Sequence, residues 1–372
     1  MRQVMGLVNL HEDDRYIQEL TISRPLAAVP FGGKYRIVDF ILSNMVNSGV
    51  NNVGILMPEK YRSLLDHLRS GKEWDLARKR DGLFILPPSG ERSSRAHKGN
   101  VEHLFQQLDY LGRVRRDYVL IGESHFIYNM DYRELFNEHL RSGADATLLY
   151  KEIATAEAPL PGAIRLQLEE GGNRIVGMEI SPWRSQSRNI CLNVCVLSKN
   201  LFIELVNQAM SRGGGDFATD CLAANTNQLA IRGMRFDGFA ARIATVNEFY
   251  RHNLDLLQSE TAGALFCPER PIYTKVKDSA PTKYKDSAEV SASMIANGCV
   301  LEGAVSGSVL FRGVKVHRQA QVRRSIIMQK TIIGEGSILE NVICDKDVVI
   351  TPGRILKGDP NYPLVIRKGT VI

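Results

Sequence analysis

The chain divides into two stretches with different hydrophobic periods. Up to about residue 250, apolar strand-like runs alternate with amphipathic helical stretches. "VNNVGILMP" (50–58) and "DYVLIGESHFIYNM" (117–130) read as strands, each followed by a helical stretch, "EKYRSLLDHLRS" (59–70) and "DYRELFNEHLRSG" (131–143). Strands separated by helices of about 10 to 15 residues indicate βαβ units and a mostly parallel sheet. Because ligands on such sheets bind at the carboxyl ends of the strands, we expect the functional site in the loops that follow them.

Beyond about residue 290 the helical pattern ends and a six-residue period begins. Every sixth position is apolar or small, with Gly334 and Gly336 between two of them. The repeated positions are Val314, Ala320, Ile326, Ile332, Ile338, Cys344 and Ile350. Sustained hexads predict a left-handed parallel β-helix in which each strand buries one of these side chains in the interior of the coil. An antiparallel sheet with coincidental spacing is the alternative.

These two periods predict the domain organisation. We expect an α/β domain over residues 1–250, a helix and linker over 251–289, and a β-helix domain over 290–372. Within the second segment, "CPERPIYTKVKDSAPTKYKDS" (267–287) is rich in proline and lysine, which is typical of an extended connector.

Composition narrows the class of protein. No apolar run approaches the roughly 18 residues of a membrane span, and the N-terminus lacks the apolar core of a signal peptide, so we expect a cytoplasmic protein. The six cysteines form no CxxC pair and favour reduced, buried thiols over disulfides or zinc. The net charge of +6 is spread along the chain, which indicates mild attraction to anionic metabolites and not nucleic-acid binding.

The loop after the first strand carries "HEDD" (11–14). In nucleotide-binding α/β proteins this loop normally carries glycines, because only bare backbone can approach phosphates closely. Carboxylates such as Glu12 and Asp13 would instead repel a triphosphate, and His11 lacks the backbone freedom of a glycine. The acidic run otherwise reads as a solvated turn.

Longer stretches carry a resemblance to a known family. "RPLAAVPFGGKYRIVDFILSNMVNSGVNNVGIL" (24–56), followed by the β-helix pattern, resembles the sugar-nucleotide pyrophosphorylases and specifically bacterial ADP-glucose pyrophosphorylase. The resemblance continues through "EWDLARKRDGLFILPP" (73–88), "YNMDY" (128–132) and "YRHNLDLL" (250–257), and so covers nearly the whole chain. "GLVNLHEDDRYIQELTISRPLA" (6–27) is similar to the GlgD-type subunits of that family. The resemblance implies a Rossmann-like nucleotidyltransferase domain and a role in glycogen synthesis.

When the family's motifs are aligned with this chain, the residues that would bind phosphate and metal are replaced by residues of different chemistry. Its glycine-rich triphosphate loop falls on the segment that begins at Gly6, and its metal-binding aspartate falls on His125. A second family carboxylate is retained as Asp220. Imidazole is a poor ligand for Mg²⁺, which prefers hard oxygen donors. His125 is either a transition-metal ligand or, as we favour, a structural hydrogen-bonding residue.

The positions that contact the sugar in the family also carry residues of different chemistry in this chain. The lysine that binds the sugar phosphate in the family falls on Ser181, which supplies no positive charge. The family's glucose-proximal motif places Asn193 near the sugar, and Arg242 stands where the family has an aspartate. We therefore expect a degenerate ancestral pocket with no catalytic residues.

The resemblance then implies a non-catalytic or regulatory subunit. We expect no cofactor on this chain, with Mg²⁺ and ATP bound by a homologous catalytic partner in a heterotetramer. The "FGGKYR" turn (31–36) presents two accessible glycines beside cations, so Arg24, Lys34 and Arg36 are candidates for binding a phosphorylated effector.

Two other functions stay open at this point. One is an active sugar-nucleotide pyrophosphorylase with a rearranged phosphate site, its positive charge supplied by residues such as Arg24, Lys34, Arg36 and Lys98. The other is a hexapeptide acyltransferase, whose base would be His317, the one histidine after residue 290.

Overall fold

The structure, a computed structural model, describes residues 1–88, 99–154, 160–180 and 185–372. The chain forms two compact units. The first comprises Met1–Asp13, Phe40–Ala240 and Glu269–Ile272, and the second comprises Asp14–Asp39, Ala241–Pro268 and Tyr273–Ile372. This partition differs from the linear division predicted above, because residues 14–39 leave the first unit directly after its first strand and join the second.

The secondary structure follows the two predicted rhythms. The helices are α1 (Gln18–Thr21), α2 (Val38–Asn47), α3 (Arg62–Leu68), α4 (Gly99–Gln106), α5 (Leu108–Arg113), α6 (Tyr132–Ser142), α7 (Lys199–Ser211), α8 (Val246–Asp255) and α9 (Ser259–Leu265), with short helical turns at Leu26–Ala28, Lys72–Trp74, Phe217–Leu222 and Ala223–Asn225. The strands up to residue 242 are β1 (Val4–Asn9), β2 (Pro30–Phe31), β3 (Tyr35–Arg36), β4 (Asn52–Leu56), β5 (Gly82–Leu86), β6 (Tyr118–Glu123), β7 (Phe126–Tyr128), β8 (Ala146–Glu152), β9 (Ile164–Leu168), β10 (Ile175–Ile180), β11 (Asn189–Ser198), β12 (Ile231–Arg235) and β13 (Ala240–Arg242).

The remaining strands are short and belong to the C-terminal part. They are β14 (Lys283–Tyr284), β15 (Glu289–Ser291), β16 (Met294–Ile295), β17 (Val300–Leu301), β18 (Ala304–Ser306), β19 (Val309–Leu310), β20 (Lys315–Val316), β21 (Gln321–Arg323), β22 (Ile326–Ile327), β23 (Ile332–Ile333), β24 (Ile338–Glu340), β25 (Val342–Cys344), β26 (Val349–Ile350), β27 (Ile355–Lys357) and β28 (Leu364–Ile366).

The first unit is built on a mixed sheet. Its order is β10-β9-β11-β6-β1-β4-β5, with β8 paired to β11 and to β12. Strands β6, β1, β4 and β5 are parallel, whereas β11 runs antiparallel to β6. The predicted strands at 50–58 and 117–130 are confirmed as β4 and as β6 with β7. The predicted helices at 59–70 and 131–143 are confirmed as α3 and α6.

Local sequence explains where α6 begins and what it buries. The carboxylate of Asp131 accepts a hydrogen bond from the Arg133 backbone N–H at 2.9 Å, which satisfies a donor that the first turn leaves unpaired. One face of the helix then buries Leu135 and Phe136. Gly143, with φ of 61°, ends the helix in the left-handed conformation that glycine adopts without strain.

The C-terminal part is a left-handed parallel β-helix, as the hexads predict. It consists of three five-stranded parallel sheets, of order β14-β17-β20-β23-β26, β15-β18-β21-β24-β27 and β16-β19-β22-β25-β28. Interior side chains repeat through the coils and form one buried cluster. Its members on successive strands include Val316, Val322, Ile327, Ile333, Leu339, Cys344 and Ile350.

The predicted register within the coils is partly wrong. Strand partners such as Lys315 and Ile332 are 17 residues apart, because the interior positions are spaced six, six and five residues, not six throughout. A strict period of six therefore drifts by one residue per coil. Ile332 and Ile338 lie one residue before the interior positions, whereas Cys344 and Ile350 occupy them.

We expect Leu339→Ala to destabilise the protein by about 2 to 5 kcal/mol, because it leaves a cavity in the closed interior of the coil. Leu339 is fully buried, whereas Ile355 on the same sheet is 64% exposed. The control Ile355→Ala should change the free energy of unfolding by less than about 0.5 kcal/mol. Urea-induced unfolding measures both; equal losses would contradict the assigned register.

Candidate functional site

A partly buried carboxyl group lies at the carboxyl ends of the parallel strands. Asn9 ends β1 and Glu123 ends β6, and the two are direct partners in the sheet. Oε1 of Glu123 accepts a hydrogen bond from Asn9 Nδ2 at 3.3 Å, and Oε2 accepts one from Asn193 Nδ2 at 2.6 Å. Two amides from neighbouring strands thus fix the Glu123 side chain.

A bulge in β11 supplies the second amide. The pairing of β11 with β8 shifts register between Cys191 and Cys195, and Asn193 lies within this shift with φ of 52°. This left-handed conformation costs asparagine less than most residues. The bulge re-aims one side chain of an otherwise regular strand, which is how Asn193 reaches Glu123.

The surroundings of Glu123 favour its protonated form. Burial, together with the nearby carboxylates of Glu12 and Asp216, raises the pKa of Glu123 to about 8, and the amide hydrogen bonds offset only part of this shift. Nδ1 of His125 lies 3.3 Å from Glu123 Oε2.

The acidic loop after β1 is fixed by specific contacts. Glu12 Oε1 accepts hydrogen bonds from the Ser124 backbone N–H at 2.7 Å and from the Ser124 hydroxyl at 2.6 Å. Nε2 of His11 lies 2.8 Å from Nδ1 of His103, whose Nε2 lies 3.1 Å from the Pro87 carbonyl oxygen. Because only an N–H pairs with a carbonyl, His103 Nδ1 is the acceptor and His11 is the donor.

The solvated-turn interpretation of this loop is thus wrong for Glu12 and right for Asp13, whose side chain is exposed. Burial lowers the pKa of His103, which keeps that ring neutral and able to accept. Side-chain hydrogen bonds hold this loop in place, whereas a phosphate-binding loop would present backbone N–H groups to its ligand.

The retained carboxylate Asp220 is bound to the backbone. Its Oδ2 accepts hydrogen bonds from the Gly215 and Asp216 N–H groups at 2.7 and 2.8 Å. Asp216 in turn accepts from Thr219 N–H at 2.9 Å and from Asn100 Nδ2 at 3.0 Å. Both carboxylates stabilise the turn that begins the helical segment at Phe217.

These donors fit poorly to Mg²⁺, the ion that the family resemblance implies. Mg²⁺ prefers oxygen ligands in octahedral geometry, whereas His125 offers nitrogen and Asp220 already accepts two backbone N–H groups. Throughout the described ranges, no cluster of three or more histidine, cysteine, aspartate or glutamate side chains is arranged to hold a metal ion.

A small cavity adjoins Glu123. Its volume is about 40 Å³, room for about three water molecules, whereas ligand pockets typically measure about 300 to 1,000 Å³. Among the described residues, its lining holds no lysine or arginine. The lining residues are Asn9, Ile121, Gly122, Glu123, Leu148, Ile164, Met178, Cys191, Asn193, Val194, Cys195, Phe217, Ala218 and Leu222.

Of the site residues expected from the sequence, His125 and Asn193 contact Glu123 directly, and Glu12 lies beside it. Ser181 lies outside the described residues. Arg242 belongs to the second unit, where it forms a buried ion pair with Glu248 at 3.0 Å.

Sequence reasoning missed Asn9, Glu123 and Ser124. The available signal was their position: Asn9 and Glu123 each end an apolar strand in the parallel part of the sheet. His317, the acyltransferase candidate, is exposed on a turn of the β-helix.

The second unit contains a separate group of cations, which we call the cation cluster: Arg24, Arg36, Lys277, Arg312 and Lys346. Burial, with the charges of Arg36 and Arg24, lowers the pKa of Lys346 to about 7. Burial and then Arg312 and Arg36 lower the pKa of Lys277. Burial is the larger cause of both shifts, and repulsion between the cations adds to it.

One carboxylate partly compensates the cluster. Asp345 forms a buried ion pair with Arg24 at 2.8 Å and accepts the Lys346 backbone N–H at 2.7 Å. The Nε atom of Arg24 is buried and has no hydrogen-bond partner among the described residues. Lys34, which the sequence also suggested, instead lies over the ring of Tyr35, with Nζ 4.9 Å from its centroid.

We expect Glu123→Gln to stabilise the protein increasingly as pH rises. The folded pKa of Glu123, about 8, exceeds its ordinary value of 4.5, so its contribution to stability is complete below about pH 4.5 and is lost as pH rises through 8. Glutamine does not ionise. The melting temperature of Glu123→Gln relative to the parent should therefore increase from pH 5 to pH 8.5.

The matched control is Glu204→Gln, an exposed position on α7. Its melting-temperature difference from the parent should stay constant over the same pH range. A constant difference for Glu123→Gln as well would show that Glu123 is ionised in the folded protein.

Comparison with known proteins agrees with this architecture. A family model described as "Nucleotidyl transferase" matches residues 17–221, and one described as "GlmU-like, C-terminal hexapeptide" matches residues 279–362. Within the described ranges, no helix has the length and apolar character needed to cross a membrane.

Individual relatives align over almost the full chain. "Glycogen biosynthesis protein GlgD" of Bacillus subtilis (strain 168) is 36% identical over 369 residues, which cover 99% of this chain and 97% of that protein. The GlgD protein of Geobacillus stearothermophilus is 38% identical over 374 residues, with coverage of 99% and 97%. "Glucose-1-phosphate adenylyltransferase" of Bacillus thuringiensis (strain Al Hakam) is 32% identical over 354 residues, with coverage of 94% and 93%. The chain therefore belongs to the nucleotidyltransferase family that includes the glycogen biosynthesis protein GlgD and glucose-1-phosphate adenylyltransferase.

Proposed function

We propose that this chain is a non-catalytic, regulatory subunit of glucose-1-phosphate adenylyltransferase in glycogen biosynthesis. It acts in the cytoplasm by assembling with a homologous catalytic subunit, in a heterotetramer, and by changing that subunit's affinities. The observation that carries the proposal is the geometry at the strand ends, where the amides of Asn9 and Asn193 hold the Glu123 carboxyl group and burial raises its pKa, at the place where a nucleotidyltransferase needs charge for metal and phosphates.

The energetics of phosphoryl chemistry support the absence of catalysis. Removing one well-placed electrostatic group typically lowers turnover by roughly 10²- to 10³-fold. Here a loop fixed by Glu12 replaces the phosphate-binding backbone, Asp220 is bound to its own turn, and serine stands at the sugar-phosphate lysine position. Such losses do not simply add, but even a discounted combination leaves negligible activity.

Regulation then works through differential stabilisation of the partner. If this subunit binds the active conformation of the catalytic subunit more tightly than the inactive one, it shifts the population toward the active state. A coupling of about 1 to 3 kcal/mol changes the partner's affinity for effector or substrate by about 5- to 150-fold.

The cation cluster is the proposed effector site. A phosphorylated metabolite would neutralise the charges of Arg36 and Lys346, whose repulsion the folded protein otherwise bears, and the buried Nε of Arg24 offers a further donor. The contacts support Arg24 and Arg36 in this role. The electrostatic coupling of Lys346 to Arg24 and Arg36 supports Lys346 as a further member, and Lys34 stays a predicted one.

We expect the purified chain alone to show neither saturable magnesium-ATP binding nor ADP-glucose synthesis. Titration calorimetry and a pyrophosphate-release assay measure these. His125→Asp should not create activity, since catalytic groups that act as a unit fail together.

Mixing this chain with a catalytic subunit should change the effector or substrate affinity of the catalytic subunit by about 5- to 150-fold. Separate elution in size exclusion, with unchanged kinetics, would overturn the proposed role.

We expect inorganic phosphate to raise the melting temperature of this chain relative to chloride at the same ionic strength. Arg36→Gln and Lys346→Gln should each reduce this shift, whereas Lys315→Gln, an exposed lysine on β20, should not. The shift should weaken as pH rises above about 7, because Lys346 then loses its charge. An equal phosphate shift in all variants would exclude the cation cluster as the site.

A further inference from the structure

The last coil of the β-helix contains an insertion that the other coils lack. Ile338 and Ile343 are equivalent positions on two sheets and lie five residues apart in sequence. Their partners one coil later, Ile355 and Val365, lie ten apart. The five extra residues are 358–362, "GDPNY". In repeat proteins, insertions of this kind commonly form the binding face.

The insertion is ordered by backbone hydrogen bonds. Tyr362 N–H donates to the Asp359 carbonyl at 3.0 Å, and Asp359 N–H donates to the Tyr362 carbonyl at 3.1 Å, which closes a two-residue hairpin. At its base, Asn341 Nδ2 donates to the Gly358 carbonyl at 3.1 Å, and the Leu364 N–H donates to the Asn341 carbonyl at 3.1 Å. This fixed frame nevertheless presents the side chain of Tyr362 with 83% of its surface exposed.

A second exposed tyrosine lies on the same groove. Tyr16 is 50% exposed, and its carbonyl accepts the Val246 N–H at 3.2 Å, which fixes it to the start of α8. The next residue, Ile17, is fully buried and anchors the turn. Both rings are therefore carried on backbone that is already organised, so binding to them would cost little further conformational entropy.

We call this feature the tyrosine groove. It encloses about 630 Å³ within the second unit, in the range of ligand pockets. Its aromatic rings are accompanied by short amides and carboxylates. The lining residues are Tyr16, Glu19, Thr245, Val246, Asn247, Lys357, Gly358, Asp359, Asn361, Tyr362, Pro363, Leu364 and Val365.

We propose that the tyrosine groove binds an uncharged oligosaccharide. A sugar ring presents an apolar C–H face that stacks on tyrosine, and hydroxyls that pair with amides and carboxylates such as Asn247, Asn361 and Asp359. Phosphorylated sugars are disfavoured, because the groove carries Glu19 and Asp359 and its lysine, Lys357, lies 3.7 Å from a carboxylate oxygen of Glu340.

A peptide segment is the competing occupant. Extended peptides bind mainly by adding a strand to free backbone groups. In the tyrosine groove, the N–H groups of Val246 and Leu364 and the carbonyl of Gly358 already have partners. The observations therefore favour a ligand recognised by its rings and hydroxyls.

The test is binding of the full chain, without any partner subunit, to maltoheptaose by titration calorimetry and to glycogen by affinity electrophoresis. The choice of α-1,4-linked probes rests on the proposed function; cellohexaose is the comparison probe. We expect saturable binding that is insensitive to salt. Tyr362→Ala and Tyr16→Ala should each weaken it about tenfold. Tyr362→Phe should retain it.

The matched control is Tyr284→Ala on β14, a tyrosine 55% exposed and outside the groove, which should bind as the parent does. Near-ultraviolet circular dichroism checks that each variant is folded. No binding of any of the three glycans by the parent would overturn the proposal. Equal binding by Tyr362→Ala and Tyr284→Ala would also overturn it. Since the assay omits the catalytic subunit, a failure here is distinguishable from a failure of the regulatory role.

Discussion

The partly buried carboxyl group of Glu123 is the feature on which the site of the first unit depends. Glu123 ends a strand in the middle of the sheet, and desolvation there raises the pKa of its carboxyl group. The surroundings supply amides from Asn9 and Asn193. The loop that carries Glu12 lies beside this group, and Glu12 is fixed there by two hydrogen bonds from Ser124.

The second unit shows the opposite electrostatic design. There, burial and the charges of cations from segments far apart in sequence lower the pKa of Lys346, and Asp345 compensates part of the charge of Arg24 and Lys346. If this cluster binds a phosphorylated effector, as proposed, the effector site and the site around Glu123 belong to different units of the chain.

Local patterns explain what the sequence could predict. Strands β4 and β6 and helix α6 follow from runs of apolar residues and a capping aspartate, which are properties of neighbouring residues. The β-helix followed from repetition, but its interior register did not, because one short step in each 17-residue coil displaces Ile332 and Ile338 from the positions a strict hexad assigns. The partnership of Asn9 with Glu123 depends on which strands become neighbours, and the pairing of Arg24 with Asp345 depends on a non-contiguous unit. No local pattern carries either kind of information.

The discontinuous second unit has a consequence for biosynthesis. Arg24 and its partner Asp345 are separated by 321 residues, so the segment around Arg24 leaves the ribosome long before the coils that cover it exist. At about 5 to 20 residues per second, that interval is about 15 to 60 s. During it, apolar side chains such as Ile17 and Leu20, both buried in the finished protein, lack their native cover. A chain truncated before these coils would therefore never complete this unit.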